Sequence, residues 1–172
     1  ITNSGASGVA ALTGSYTGST FSNSTVTGSG GDGFTAFKAD GISVTDSEFS
    51  FNADDGIHFD AVSNATAQNN VIGNNDFYGV LVVSTDPLAS TSNVSVTGNF
   101  IGTNVDEDNT SNGRSGIWVL GDAEGHGTVD TVSITGNTIA NNAVHGIEVW
   151  SATNVTLGGT RGESSENIIS NN

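Results

Sequence analysis

The chain has 172 residues with three Lys and Arg against eighteen Asp and Glu, a formal net charge of −15 and a sequence pI near 4.1. That length suits one domain, and 34% hydrophobic residues argue against both a wholly disordered chain and a membrane span. Three basic residues cannot neutralise many phosphates, so no nucleic acid partner and no membrane insertion are expected.

The absence of Cys excludes disulfides and thiolate chemistry. Gly, Asn, Ser and Thr dominate while charged residues make up only 12%, a balance that disfavours surface helices. The same acidic, Lys-poor composition suggests an extracellular or cell-surface location. No targeting segment is visible, and the chain is expected to be a mature or excised piece of something longer.

Taken in chain order, short apolar segments recur. Gly56-Ile57-His58-Phe59, Gly79-Val80-Leu81-Val82, Gly116-Ile117-Trp118-Val119 and Gly146-Ile147-Glu148-Val149 share one pattern, with weaker copies at Gly8 and Gly33. The step from Gly33 to Gly56 to Gly79 is 23 residues each time, then 37 to Gly116 and 30 to Gly146. The excess falls in polar, Gly-rich stretches, which read as loops inserted at corners.

Aligned copies give three apolar columns. One holds Ile1, Val26, Phe49, Ile72, Ile101, Ile139 and Ile169; a second holds Val9, Phe34, Ile57, Val80, Ile117 and Ile147; a third holds Val44, Ala67, Val96, Ile134 and Leu157. Apolar and polar residues alternate within each segment, the period of a strand. A unit of three short strands cannot bury its inner face alone, so units must stack. The expected fold is all-β: a right-handed parallel β-helix of about 23 residues per coil over residues 1–172, with three short strands per coil and loops inserted at corners.

A polar column of Asn52, Asn75, Asn104, Asn142 and Asn172 follows the first apolar column by three residues and is expected to form a hydrogen-bonded ladder at one corner. The Gly four residues later, as in Asn52 to Gly56, is expected to enter the next strand at positive φ.

The runs Val94-Ser-Val-Thr-Gly-Asn-Phe-Ile-Gly-Thr-Asn104, Val132-Ser-Ile-Thr-Gly-Asn-Thr-Ile-Ala-Asn-Asn142 and Asn167-Ile-Ile-Ser-Asn-Asn172 resemble the right-handed parallel β-helix repeats of large exported bacterial surface proteins. The resemblance covers nearly the whole chain. Pectate lyases, polygalacturonases and alginate epimerases share this fold, as do adhesins and inert stalks, so the resemblance implies architecture rather than activity.

Two functions follow as expectations. The first is an extracellular structural or adhesive segment of a surface protein or fibre, stacking head to tail on copies of itself or on further repeats, because coils begin and end mid-repeat. The second is a carbohydrate-active enzyme, a polysaccharide hydrolase or lyase. Its catalytic candidates are Asp54, Asp55 and Asp76, with Asp32 one coil earlier. Adjacent coils rise by about 4.8 Å, which sets such carboxylates within the range that glycoside hydrolases use.

The stretch Asn52-Ala-Asp-Asp-Gly56 together with Gly125-His126-Gly127 faintly resembles polygalacturonase motifs, whose carboxylates act beside a histidine, although that family's basic substrate-binding motif is not recognisable. For ligands, His58, Trp118 and Glu148 share an outward column with Leu81, and Trp150 lies in the next, beside Phe37, Asp60, Val83 and Leu120. Trp118 and Trp150 are the expected platform for a glycan or partner, unless the insertions around Pro87 and at Gly121–Gly127 fold over that face. His58 and His145 stand alone in sequence without a metal-like partner set. The acidic insertion spaces Asp106, Asp108, Thr110 and Asn112 as alternating oxygen donors, which reads either as a Ca²⁺ loop, although no bidentate Glu closes it, or as a solvated acidic loop that needs no ligand.

Overall fold

The computed structural model describes residues 1–122 and 125–172. Ala123 and Glu124, inside the Gly121–Gly127 insertion, lie outside the described residues. Every strand pairing is parallel and joins one coil to the next.

Each coil contributes to three rows. The first row is a six-stranded sheet of Thr25–Thr27, Glu48–Ser50, Val71–Gly73, Phe100–Ile101, Thr138–Ala140 and Ile168–Ser170. The second row contains Ile57–Asp60, Val80–Val83, Ile117–Leu120 and Ile147–Trp150. The third contains Thr66–Gln68, Ser90–Thr97, Thr128–Thr135 and Thr153–Leu157. In the earliest coils Val9–Ser22 and Phe34–Thr45 run through the second and third rows without a break. Among the described residues no helix is long and apolar enough to cross a membrane.

The three apolar columns superpose as expected. Phe49 pairs with Ile72, Ile72 with Ile101, Ile101 with Ile139 and Ile139 with Ile169. Phe34, Ile57, Val80, Ile117 and Ile147 form the second file, and Val44, Ala67, Val96, Ile134 and Leu157 the third. Phe34, Phe49, Phe59, Ile57, Ile72, Ile101, Ile117, Ile134 and Ile139 are the largest fully buried side chains, so the core is a continuous apolar column inside the coil. The rings of Phe21, Phe34 and Phe49, tilted or edge-on to one another with centroids 5.6 to 6.4 Å apart, pack together in its early part.

The corner between the first and second rows is held by asparagine, but by a different set from the one expected. The backbone N–H of Asn52 donates to Asn75 Oδ1 (3.2 Å), Asn75 to Asn112 Oδ1 (3.2 Å) and Asn142 to Asn172 Oδ1 (3.1 Å). Side-chain amides repeat the link, with Asn52 to Asn75 at 2.8 Å, Asn75 to Asn112 at 3.0 Å and Asn112 to Asn142 at 2.9 Å. Asn112 therefore takes the place assigned to Asn104. The insertion enters before the ladder residue rather than after it, so counting three from Ile101 lands inside the loop.

A second ladder lies on the other side of the first row. Asn70, Asn99, Asn137 and Asn167 link in series, each backbone N–H donating to the next Oδ1 at 2.9 to 3.0 Å. Ser24 and Ser47 begin the same file, with Ser47 N–H donating to Asn70 Oδ1.

The glycine that opens each second-row strand is needed for space, not for positive φ. A Cβ on Gly56 would collide with Ile72 Cγ2 and stand 2.7 Å from the carbonyl oxygen of Gly79 in the next coil. The left-handed residues are instead those just before the ladder, Phe51, Asn74, Asn141 and Asn171.

Replacing Asn75 by Ala removes partners from Asn52 N–H, the Asn52 amide, the Phe49 carbonyl and Asn112 Oδ1. At about 1–3 kcal/mol for each buried group left unpaired, the predicted loss is at least 3 kcal/mol. Chemical denaturation checks this against Asn109→Ala, which loses one exposed contact from the Ser111 N–H and should shift the midpoint little.

Candidate functional site on the outer face

The side chains one residue before and two residues after each second-row glycine face away from the apolar file, and two files result. Backbone hydrogen bonds place Asp32, Asp55, Tyr78, Ser115 and His145 in one file. Thr35, His58, Leu81, Trp118 and Glu148 form the other. Contacts run diagonally between these files, from a residue of the first to the residue of the second one coil on. Asp32 meets His58, Tyr78 meets Trp118, and Ser115 donates to Glu148 Oε2 at 2.8 Å.

The densest chemistry lies at the first of these contacts. His58 Nδ1 stands 3.3 Å from Asp32 Oδ2 and 3.6 Å from Asp55 Oδ2. Each carboxylate is anchored through its other oxygen: Asp32 Oδ1 accepts from Asp55 N–H at 3.1 Å, and Asp55 Oδ1 from Tyr78 N–H at 2.9 Å. The Thr35 hydroxyl donates to Asp32 Oδ2 at 2.5 Å and is itself hydrogen-bonded to Ser7. The coil stacking therefore aims both Oδ2 atoms at one imidazole nitrogen. Asp55 is 2% exposed and the His58 side chain 21%, so the imidazole is the part of the cluster that faces solvent.

The two carboxyl groups are driven apart. Burial pushes Asp55 up to about 7; His58 and the Tyr78 N–H pull it down, while Asp32 and Asp54 add to the rise. Asp32 feels burial most, but hydrogen bonding and charge from His58, with Thr35 and the Asp55 N–H, hold it below the ordinary value. Burial lowers His58, yet Asp32, Asp55 and Asp60 outweigh it and raise the imidazole above its usual range. Asp54 is exposed and raised, by partial burial and by the charge on Asp32.

Of the other residues that the sequence singles out, Asp76 stacks with Ala53 and Gly113 and is exposed, outside the cluster. His126 lies in the turn whose Gly127 donates to the Ser84 carbonyl, at the far end of the second row, so it does not reach Asp54 or Asp55. The histidine that does meet a carboxylate pair is His58, for which the sequence offers no partner set.

Trp118 pairs with Tyr78, at 4.7 Å between ring centroids, rather than with Trp150, which is 59% exposed in the neighbouring file. Leu81, Val83 and Leu120 form a small second core with Tyr78 and Trp118. Much of the expected open face is thus covered. The 84–89 loop is tied back by Thr85 N–H to Asp60 Oδ1 (2.8 Å) and by Lys38 to Asp86 (2.7 Å). Arg114 lies over the Phe77 ring at 5.1 Å, and its charge also reaches the Tyr78 hydroxyl.

The acidic insertion does not assemble the four expected donors. Asn112 Oδ1 is taken by the ladder, and a Cβ on Gly73 would strike Thr110, whose hydroxyl is buried there. Asp106 and Asp108 stay exposed, their backbone N–H groups donating to Asn104 Oδ1 at 3.0 Å.

With the coil and its outer face described, the class is settled: this chain belongs to the right-handed β-helix family, whose profile, described as a right handed beta helix region, matches residues 1–172. Among solved structures it is similar to the A-module of the Azotobacter vinelandii mannuronan C-5 epimerase AlgE6, at 16% identity and a TM-score of 0.52, covering 99% of this chain and 51% of that one. It is also similar to the A-module of the Azotobacter vinelandii mannuronan C-5 epimerase AlgE4, at 21% identity and a TM-score of 0.48, covering 79% of this chain and 39% of that one. The chain thus spans about half or less of those modules. No curated protein sequence matches it.

The cluster predicts a pH signature. A carboxyl raised in the fold loses stability as pH climbs from the ordinary 3.8 through about 7, and a raised imidazole loses it as pH passes through its folded value. Stability should therefore fall between about pH 4 and 7, and Asp55→Asn should flatten that fall. Thermal melts across this range check it, and a variant with the unchanged wild-type slope would contradict the assignment.

Proposed function

We propose that this chain is a carbohydrate-active β-helix segment that binds polysaccharide along its outer face and acts on it by proton transfer. The observation that carries this reading is the coincidence, on successive coils, of a tuned Asp32–Asp55–His58 cluster with an aromatic pair, Tyr78 and Trp118. Sugar rings stack on aromatic faces, and a chain lying along the coil axis meets one coil every 4.8 Å or so. Acid–base work needs groups whose environments have separated their proton affinities. Asp54 is the exposed carboxyl beside the cluster, close enough to feel the charge on His58 and Asp32, and is assigned here as the general acid that a substrate can reach.

Asp32 and Asp55 lie behind as positioning residues. At a net charge of −15 a neutral glycan, or a polyuronate bridged by Ca²⁺, is the favoured substrate class. The epimerase A-module with the 0.52 score speaks for the fold alone, so the residues above support the activity.

A screen of neutral and Ca²⁺-bridged polysaccharides tests the reading. Turnover is expected on at least one, falling at least ~100-fold in Asp54→Asn, in line with loss of a general acid. Binding without turnover, or turnover indifferent to Asp54→Asn, would contradict it.

A second reading, a structural or adhesive segment that stacks head to tail at the cell surface, rests on the parallel pairing of every coil with the next, a pattern that a further copy can extend. Concentration-dependent filaments in electron micrographs would support it, and a strictly monodisperse monomer would remove it.

A further inference from the structure

We propose that Asp32, Asp55 and His58 form a binding site for a divalent first-row transition ion, with Zn²⁺ as the best fit. Three ligand atoms, one per residue, lie within 4.8 Å of one another, and among the described residues this is the one such group of His, Asp and Glu.

The spacing is long for charged hydrogen bonds and fits an ion held between the three groups. A charged N–H···O contact is about 2.7–2.9 Å long, whereas His58 Nδ1 stands 3.3 and 3.6 Å from the two carboxylate oxygens. Four ligands placed tetrahedrally at about 2.1 Å from zinc are separated by about 3.4 Å. The two observed separations bracket that edge.

The donors are also held in position. Asp32 Oδ1 and Asp55 Oδ1 are occupied by backbone N–H groups of the following coil, so the Oδ2 atoms are left facing the imidazole. The Thr35 hydroxyl donates to Asp32 Oδ2 itself, so it steadies the ligand atom and leaves that oxygen's second lone pair for an ion. Such outer contacts orient metal ligands, and their loss commonly weakens affinity ten- to a hundred-fold, as order-of-magnitude values. Two carboxylates match the charge of a divalent ion. An imidazole nitrogen with only two carboxylates suits Zn²⁺ far better than Ca²⁺, which takes about six to eight oxygen ligands. A fourth position would be left for water on the solvent side, where His58 is partly exposed.

This inference does not depend on the glycan reading, and its test uses the metal alone. Calorimetric titration of the full chain with Zn²⁺ should show one equivalent bound and persistence against excess Ca²⁺. Asp55→Asn and His58→Gln should each weaken binding at least ~10-fold, while Asp76→Asn should leave it unchanged. Because the first two substitutions touch buried groups, a wild-type readout stands beside them: Zn²⁺ should shift the ring resonances of His58 but not of His126 or His145 in NMR spectra. Absent binding, displacement by Ca²⁺, or shifts confined to His126 or His145 would overturn the site. Polysaccharide turnover, measured separately, would survive that failure if the glycan reading is correct.

Discussion

The structure depends on the carboxamide ladders that flank the first strand row. A parallel coil must turn three corners per unit, and at each turn backbone N–H groups leave the strand ladder with no partner of their own. Asn52, Asn75, Asn112 and Asn172 supply that partner at one corner, and Asn70, Asn99 and Asn137 at another, each side chain accepting from the coil before it. Apart from Asn52, each Asn Nδ2 also donates to a carbonyl near the turn, as Asn75 does to Phe49 O and Asn137 to Val96 O. Groups that would otherwise be buried unpaired are thereby satisfied twice over. Because the link always runs from one coil to the next, it fixes axial register as well as energy.

Fixed register is what places chemistry on the outer face. Once Phe34, Ile57 and Val80 superpose inside, the residues on either side must superpose outside, and Asp32, Asp55 and Tyr78 become neighbours although 23 residues separate each from the next. His58 then needs no loop to reach Asp32. The same register stacks Tyr78 on Trp118 across a coil whose sequence spacing has grown to 37 residues by insertion, since both insertions leave the strands in place. The two loops serve different ends. The 84–89 loop is tied back to the second row at Asp60, while residues 105–109 stay outside as an exposed acidic turn.

Much of this was legible in the sequence, because strand periodicity and the three apolar columns need only the alternation of side chains. Ile72, Ile101 and Ile139 align by counting alone. What was not legible turns on where an insertion sits relative to a polar column. Asn104 and Asn112 are equally plausible ladder residues by type, and only the path of the chain decides between them. The second ladder did leave a signal, an Asn or Ser two residues before each member of the first apolar column, as at Ser47, Asn70, Asn99, Asn137 and Asn167. The role of the repeated glycine is hidden for a physical reason: positive φ and close approach both select glycine, and sequence cannot separate them. His58 looks isolated in the sequence because its partners are set by stacking, three residues away in one case and 26 in the other.

The most direct test of this account is NMR measurement of scalar couplings across hydrogen bonds at the first ladder. Coil stacking as described requires a coupling from the backbone nitrogen of Asn75 to Cγ of Asn112, with its counterpart from Asn52 to Asn75. A coupling from Asn75 to Asn104 instead, or no coupling together with rapidly exchanging Asn75 amide protons, would mean that the coils do not sit in this register and that the outer-face cluster is not assembled.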